Sequence, residues 1–172
     1  MTDFDKYRER GAYHYDWYDK NTFTYCTTVN LCVDFCNGTT LDVGCGEGLI
    51  VDLLQQKGLE VTGIDFEQVA VDLALPELDI RQADIYEAIT EKWEYMVCHN
   101  VIEHLTKPER IREIFDQNIT KAAIIITDMP QLELSKYHIK EFTPKELKDI
   151  FSGWRVEPIS INKDFHGIKV YK

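Results

Sequence analysis

Along most of the chain, short apolar runs alternate with stretches whose apolar residues are spaced as in helices. Thr39–Val43 reads as a strand, followed by a glycine turn and the helix-like Leu49–Lys57. Glu60–Ile64, bounded by Gly58 and Gly63, is a second strand, Leu78–Ala83 a weaker third and Tyr95–His99 a fourth. Pro108 suits the first turn of a helix reaching Asn118, where its missing N–H costs nothing. Ala122–Thr127 is a continuous apolar run, the pattern of a strand covered on both faces. Thr143-Pro144-Lys145-Glu146 places an N-cap, a first-turn proline and a reciprocal glutamate at the start of a helix ending near Ser152. Trp154–Ile161 and Phe165–Tyr171, joined by Asn162-Lys163-Asp164, suit an antiparallel hairpin. The order predicts an α/β fold: a doubly wound, mostly parallel seven-stranded sheet with an antiparallel C-terminal hairpin, in a single domain.

At 172 residues the chain is one domain's length, and about 70% of its unfolded surface is buried on folding, so no disulfide or structural metal is required. No apolar run reaches the 18 residues that would indicate a membrane span. The opening Met-Thr-Asp-Phe-Asp-Lys lacks the apolar centre of a signal peptide, so a cytoplasmic location is expected. Nineteen Lys and Arg against thirty Asp and Glu give a net charge of −11. That charge argues against a grip on long nucleic acid and favours small neutral or cationic acceptors, or a protein partner. The sequence makes no statement about oligomeric state. Five cysteines form no C-x-x-C pair; they read as buried, reduced thiols, with Cys26, Val29, Val33 and Cys36 on one expected apolar stripe. Tyr7, Tyr13, His14, Tyr15, Trp17, Tyr18, Phe23 and Tyr25 crowd the N-terminal segment. Residues 1–37 are therefore expected to form a helical cap on a domain spanning 1–172. Two roles stay open for its rings: a layer packed on the sheet edge, or a water-excluding wall that presents Tyr13-His14-Tyr15 to a site.

The strongest chemical signal is Leu41-Asp42-Val43-Gly44-Cys45-Gly46-Glu47-Gly48, between a strand and a helix. Glycines there allow close approach of backbone N–H groups to a ligand, next to the positive end of a helix. The next strand ends in Asp65, whose carboxylate has room for two ribose hydroxyls. Leu49 stands where a dinucleotide fingerprint requires its third glycine, which tells against a nicotinamide dehydrogenase.

With these motifs the chain resembles the class I S-adenosylmethionine-dependent methyltransferases from about Thr39 to its end. The resemblance implies S-adenosyl-L-methionine as cofactor, with its methionine end cradled around Asp42, Gly44, Cys45 and Gly46. It implies the ribose on Asp65, Phe66 beside the adenine, Asp84 on the adenine amino group and Ile85 on its ring. Met96–Leu105 resembles the family's fourth motif and brings Asn100 to the cofactor. The acid this family often carries at the start of its fourth strand has Glu94 as its stand-in. Activation of an acceptor by a general base points to His138 and His104, with His99 at the end of the fourth strand as a further histidine there. His166 receives no functional role.

A second resemblance is to small-RNA terminal 2′-O-methyltransferases, whose metal ligands Glu103, His104 and His138 would match. Asn100 replaces their first acidic ligand, and a neutral amide weakens a site for a hard cation, so no metal is expected. The leading expectation is methyl transfer to the oxygen or nitrogen of a small molecule. The alternatives are an RNA or protein methyltransferase, or a catalytically idle module of the same fold.

Overall fold

Strand Ile119–Asp128 (β5) shows why its sequence is apolar without alternation. Ala123 and Ile125 face one core, Ile124 and Ile126 the other, and all four are fully buried. The structure, a computed structural model, describes residues 6–172 except for the side chain of Phe23; residues 1–5 of the expected cap lie outside it.

Three helices come first: α1 (Lys6–Arg10), α2 (Tyr13–Asp19) and α3 (Tyr25–Phe35). Then follow β1 (Thr40–Val43), α4 (Leu49–Gln56), β2 (Val61–Asp65), α5 (Gln68–Asp72), β3 (Ile80–Gln82) and β4 (Trp93–His99). Past β4 a short 3-10 turn, Ile102–His104, leads to α6 (Glu109–Asn118) and β5. The chain ends with α7 (Pro144–Ile150), β6 (Arg155–Ser160) and β7 (Phe165–Tyr171). The sheet order is β3-β2-β1-β4-β5-β7-β6, parallel except for β7, which runs antiparallel to both β5 and β6. This is the expected seven-stranded architecture. The order reverses between β1 and β4, so the C-terminal ends of these strands open the crevice in which doubly wound sheets bind ligands.

Helices α6 and α7 cover one face with Phe115, Leu147 and Phe151, and α3 and α4 cover the other with Val29, Cys32, Val51 and Leu54. The Thr143 cap is realised: its hydroxyl accepts from the Glu146 amide while the Glu146 carboxylate accepts from the Thr143 amide. The α3 stripe needs correction. It runs Tyr25, Thr28, Val29, Cys32, Val33, beginning one residue before the expected Cys26, which stays half-buried. Cys36 is buried just past the helix end, in extended backbone. All five thiols are free, and burial pushes Cys32 and Cys98 well above the usual thiol range, so they behave as apolar filling. Glu94 is structural: it accepts from the Thr39 amide and pairs with Lys121, tying the entrance of β1 to β4 and β5. Among the described residues no helix is long and apolar enough to cross a membrane.

Candidate active site

The turn after β1 depends on glycine because its backbone enters the left-handed region. Gly44 has φ +69° and lies so close to Val101 that an added Cβ would come within 2.4 Å of it. Gly46, at φ +57°, lies under the Tyr7 hydroxyl, 2.3 Å from where a Cβ would stand. The loop's amides correct the sequence-based picture. The N–H groups of Gly44 and Cys45 both donate to the Ile64 carbonyl, at 2.7 and 3.0 Å, and that of Gly46 donates to Asp65 Oδ2 at 2.8 Å. They are spent on β2 because the turn folds back along it. The loop's glycines let Val101 and Tyr7 approach closely, and these three amides are not free donors.

Asp65 holds the tip of β2 as expected. Its second oxygen accepts from the Glu67 amide at 2.8 Å, so each oxygen uses one acceptor position and keeps another. Burial raises its carboxyl above the usual range, against the lowering effect of those two amides. Asp42, fully buried beneath the loop, has Oδ2 without a hydrogen-bond partner, and burial together with the Asp65 charge pushes it far up. Asn100, at the end of β4, adopts φ +54° with its amide on the Ile126 carbonyl and leaves Oδ1 buried without a partner. Phe66 is exposed beside Asp65. Asp84 accepts from the Tyr86 amide in a tight turn. Ile85 points into the α6-side core instead of an open ring slot, and its carbonyl accepts from the Arg110 guanidinium.

At the tips of β4 and β5 a polar cluster replaces the apolar core. Glu103 is fully buried and neither carboxylate oxygen has a hydrogen-bond partner. Burial, reinforced by Asp128, raises it to about 8. Its carbonyl accepts from the amides of Ile139 and Lys140, which folds the segment carrying His138 back over it. His104 Nδ1 lies 2.8 Å from the Tyr137 carbonyl, and since a carbonyl only accepts, Nδ1 carries the proton and Nε2 the lone pair. Burial lowers His104 to about 4, so the ring is neutral at physiological pH. His138 lies between two carboxylates, Nδ1 3.1 Å from Glu141 and Nε2 3.5 Å from Asp128. Its ring meets that of His104 edge-on at 5.0 Å. Ligating atoms of Glu103, His104 and His138 all lie within 4.8 Å of one another.

His99 is not part of this cluster. Its Nε2–H donates to the Thr28 hydroxyl, which itself donates to the Tyr25 carbonyl, and burial holds it at about 3. It is a structural, neutral ring. His166 is also structural, donating from Nε2 to the Phe142 carbonyl. The sequence reading missed Asp128, Glu141 and Glu47. Asp128 had a signal, since it is the acid that ends an unbroken apolar run; Glu47, inside the glycine motif, is fully buried and bound to His14.

A doubly wound sheet with a glycine turn at its switch point and a strand-end acid is an arrangement in which α/β folds hold nucleotide cofactors. The family described as "Methyltransferase domain" matches residues 41–119, from β1 to the start of β5. A ubiquinone biosynthesis O-methyltransferase of Coxiella burnetii is 31% identical over 80 residues, covering 41% of this chain and 34% of that protein. The match thus spans about a third of that curated relative's length. A SAM-dependent methyltransferase of Archaeoglobus fulgidus has a similar fold, with TM-score 0.69 at 16% identity over 96% of this chain and 97% of the other. Another, from Bacteroides fragilis in complex with S-adenosyl-L-homocysteine, has TM-score 0.64 at 16% identity over 83% and 76%. Residues 41–119 are thus similar to a methyltransferase domain, and the fold as a whole is that of S-adenosylmethionine-dependent methyltransferases of known structure.

Proposed function

We propose that the protein binds S-adenosylmethionine at the tips of β1, β2 and β4 and transfers its methyl group to the oxygen or nitrogen of a small molecule held at the β4–β5 tips. The single observation that carries this reading is the placement of unmet polar groups around the crevice. Asp42 Oδ2 and Asn100 Oδ1 are buried without partners, and Asp65 keeps one acceptor position on each oxygen. These acceptors fit the ammonium and ribose hydroxyls of that cofactor, beside a turn whose glycines lie tight against Val101 and Tyr7. Asp65 takes the ribose, Asp42 and Asn100 the amino-acid end beside Gly44, Cys45 and Gly46, and Phe66 and Asp84 form the adenine side. When bound, the cofactor supplies a methyl group already activated on a sulfonium.

The chain's own residues then position the acceptor, exclude water and hold a proton. His104, neutral with its lone pair on Nε2, accepts a proton from an acceptor hydroxyl or ammonium. His138, oriented by Glu141 and Asp128, is the second base of the pair. The solved Bacteroides fragilis relative with S-adenosyl-L-homocysteine and the name of the Coxiella burnetii relative support cofactor and acceptor class. The proposal includes a single domain with residues 1–37 as its cap, and a cytoplasmic location.

Transfer of isotope-labelled methyl to a panel of phenols, alcohols and amines tests the reading. His138→Ala is expected to lower turnover about 100-fold while leaving S-adenosyl-L-homocysteine affinity within threefold. Equal turnover in variant and parent would remove His138 from the chemistry. One observation favours a second reading, in which a divalent cation takes part: Glu103 carries two unpartnered oxygens beside the two imidazoles. Glu103, His104 and His138 would hold the cation, which would supply Lewis-acid polarisation of the acceptor. Turnover that is abolished by chelation and restored by added manganese selects this reading over base catalysis alone.

A further inference from the structure

The crevice is roofed by the N-terminal segment, and Glu47 fastens that roof to the glycine loop. Glu47, between Gly46 and Gly48, is fully buried, and both of its oxygens are taken by His14: Oε1 accepts from the His14 amide and Oε2 meets its Nδ1, each at 2.7 Å. Ala12 stands at the N-cap position of α2 and has no side-chain acceptor to give. The Glu47 carboxylate meets one of the helix's first amides in its place. A residue of the loop therefore completes a helix of the cap.

The rest of the roof consists of rings. The Tyr7 hydroxyl lies directly over Gly46. Tyr13 meets His14 at 4.1 Å and Trp17 at 4.8 Å, His14 stacks on Tyr25 at 5.4 Å, and Tyr25 reaches His99 at 5.3 Å. This lattice bridges the C-terminal ends of β1 and β4, across the crevice mouth. Tyr7, Tyr13 and Ala70 form a small cluster apart from the two main ones, while Tyr15, Trp17 and Tyr18 rest half-buried on the core beneath α3 and α4. Helices of five and seven residues are too short to persist by themselves. The join between α2 and α3 contains Asn21 at φ +47° and Thr24 at φ +61°, two non-glycine residues in left-handed backbone within one short turn. Beside this fastening, the Tyr15 hydroxyl donates to Asp52 and that of Tyr18 to Asn30. Very short helices, a special backbone join and a bidentate fastening on the loop are the features of a locally opening unit.

We propose that Glu47 and His14 are the latch of a hinged cap, residues 6–20, that lifts from the glycine loop to admit the cofactor and closes again over it. The proposal rests on the cofactor reading above, because it takes the covered crevice to be that cofactor's route. Both residues are positioning residues. The latch is formed between the chain's own residues and does not touch the acceptors assigned to the cofactor, so it governs how fast cofactor enters and leaves far more than how tightly it is held.

Two measurements test this on the full chain. Hydrogen exchange without ligand compares the amides of residues 13–19 with those of β4 and β5. In His14→Ala the α2 amides are expected to exchange about tenfold faster while the strand amides do not change, and Glu47→Gln is expected to act in the same direction. Stopped-flow binding of S-adenosyl-L-homocysteine is expected to show association and dissociation both about tenfold faster in His14→Ala, with Kd within threefold of the parent. A purely structural latch would weaken affinity without raising the association rate. Unchanged rates and unchanged α2 exchange in a variant that binds the ligand would overturn the latch and leave the cofactor reading standing. No binding by the parent protein at millimolar ligand would overturn the cofactor reading, and the gate with it.

Discussion

The tips of β1 and β2 and the tips of β4 and β5 lie side by side in one sheet, yet they are finished in opposite ways. On the β1–β2 side the turn closes upon itself, leaving Asp42 Oδ2 unmet beneath it: three loop amides are spent on Ile64 and Asp65, and Asp65 also accepts from Glu67. On the β4–β5 side Asn100, Glu103 and Thr127 keep buried polar atoms without partners, around two imidazoles and Asp128. An unmet buried polar group costs roughly 1–3 kcal/mol, so the second region stores free energy that a bound group would release. The first region is preformed, and the second is built to be completed by what it binds.

The largest expected effect breaks the preformed half. Asp65→Ala removes the proposed ribose acceptor together with the acceptor of the Gly46 and Glu67 amides, so S-adenosyl-L-homocysteine affinity is expected to fall at least about 100-fold, near 3 kcal/mol. Asp65→Asn keeps the shape and one acceptor oxygen, and about a tenfold loss is expected in the same calorimetric titration. An affinity that stays within twofold in Asp65→Ala would show that the ribose lies elsewhere. A smaller effect sharpens the other half. The Glu103 carboxyl is raised to about 8 in the folded state, against 4.5 when exposed. The folded protein therefore holds a proton that the unfolded chain loses, and stability falls as pH climbs from about 4.5 through 8. Glu103→Gln abolishes that part of the fall. Urea unfolding at pH 5 and pH 8 should show the parent losing about 2 kcal/mol more than the variant over this interval, water entry softening the full electrostatic cost. Identical pH slopes would mean that Glu103 is ionised and solvated.

What the sequence made legible follows the same division. The β1 turn, the β2 acid, the Thr143 cap and the unbroken apolar run of β5 are local patterns, each set by neighbours within a few residues. The cap helices α1 and α2 lack apolar periodicity because Glu47, from beyond α3, and a lattice of rings hold them rather than an amphipathic face. Helix α5, five residues long, is too brief to leave a helical pattern. The α3 stripe was displaced by one residue because Tyr25, set by the 3-10 turn before it, leads the buried face. His104 and His138 could be named in sequence, but their roles depend on Tyr137, Glu141 and Asp128, brought together by a loop folded over the Glu103 carbonyl. The inward turn of the loop amides is likewise a consequence of parallel pairing with β2, which spacing alone does not express.

Isothermal titration of the full chain with S-adenosyl-L-homocysteine tests the central assignment most directly. One site per chain with micromolar or tighter affinity is the expected result, accompanied by slowed exchange at the Gly46 amide. No heat and no thermal shift at millimolar ligand would contradict it.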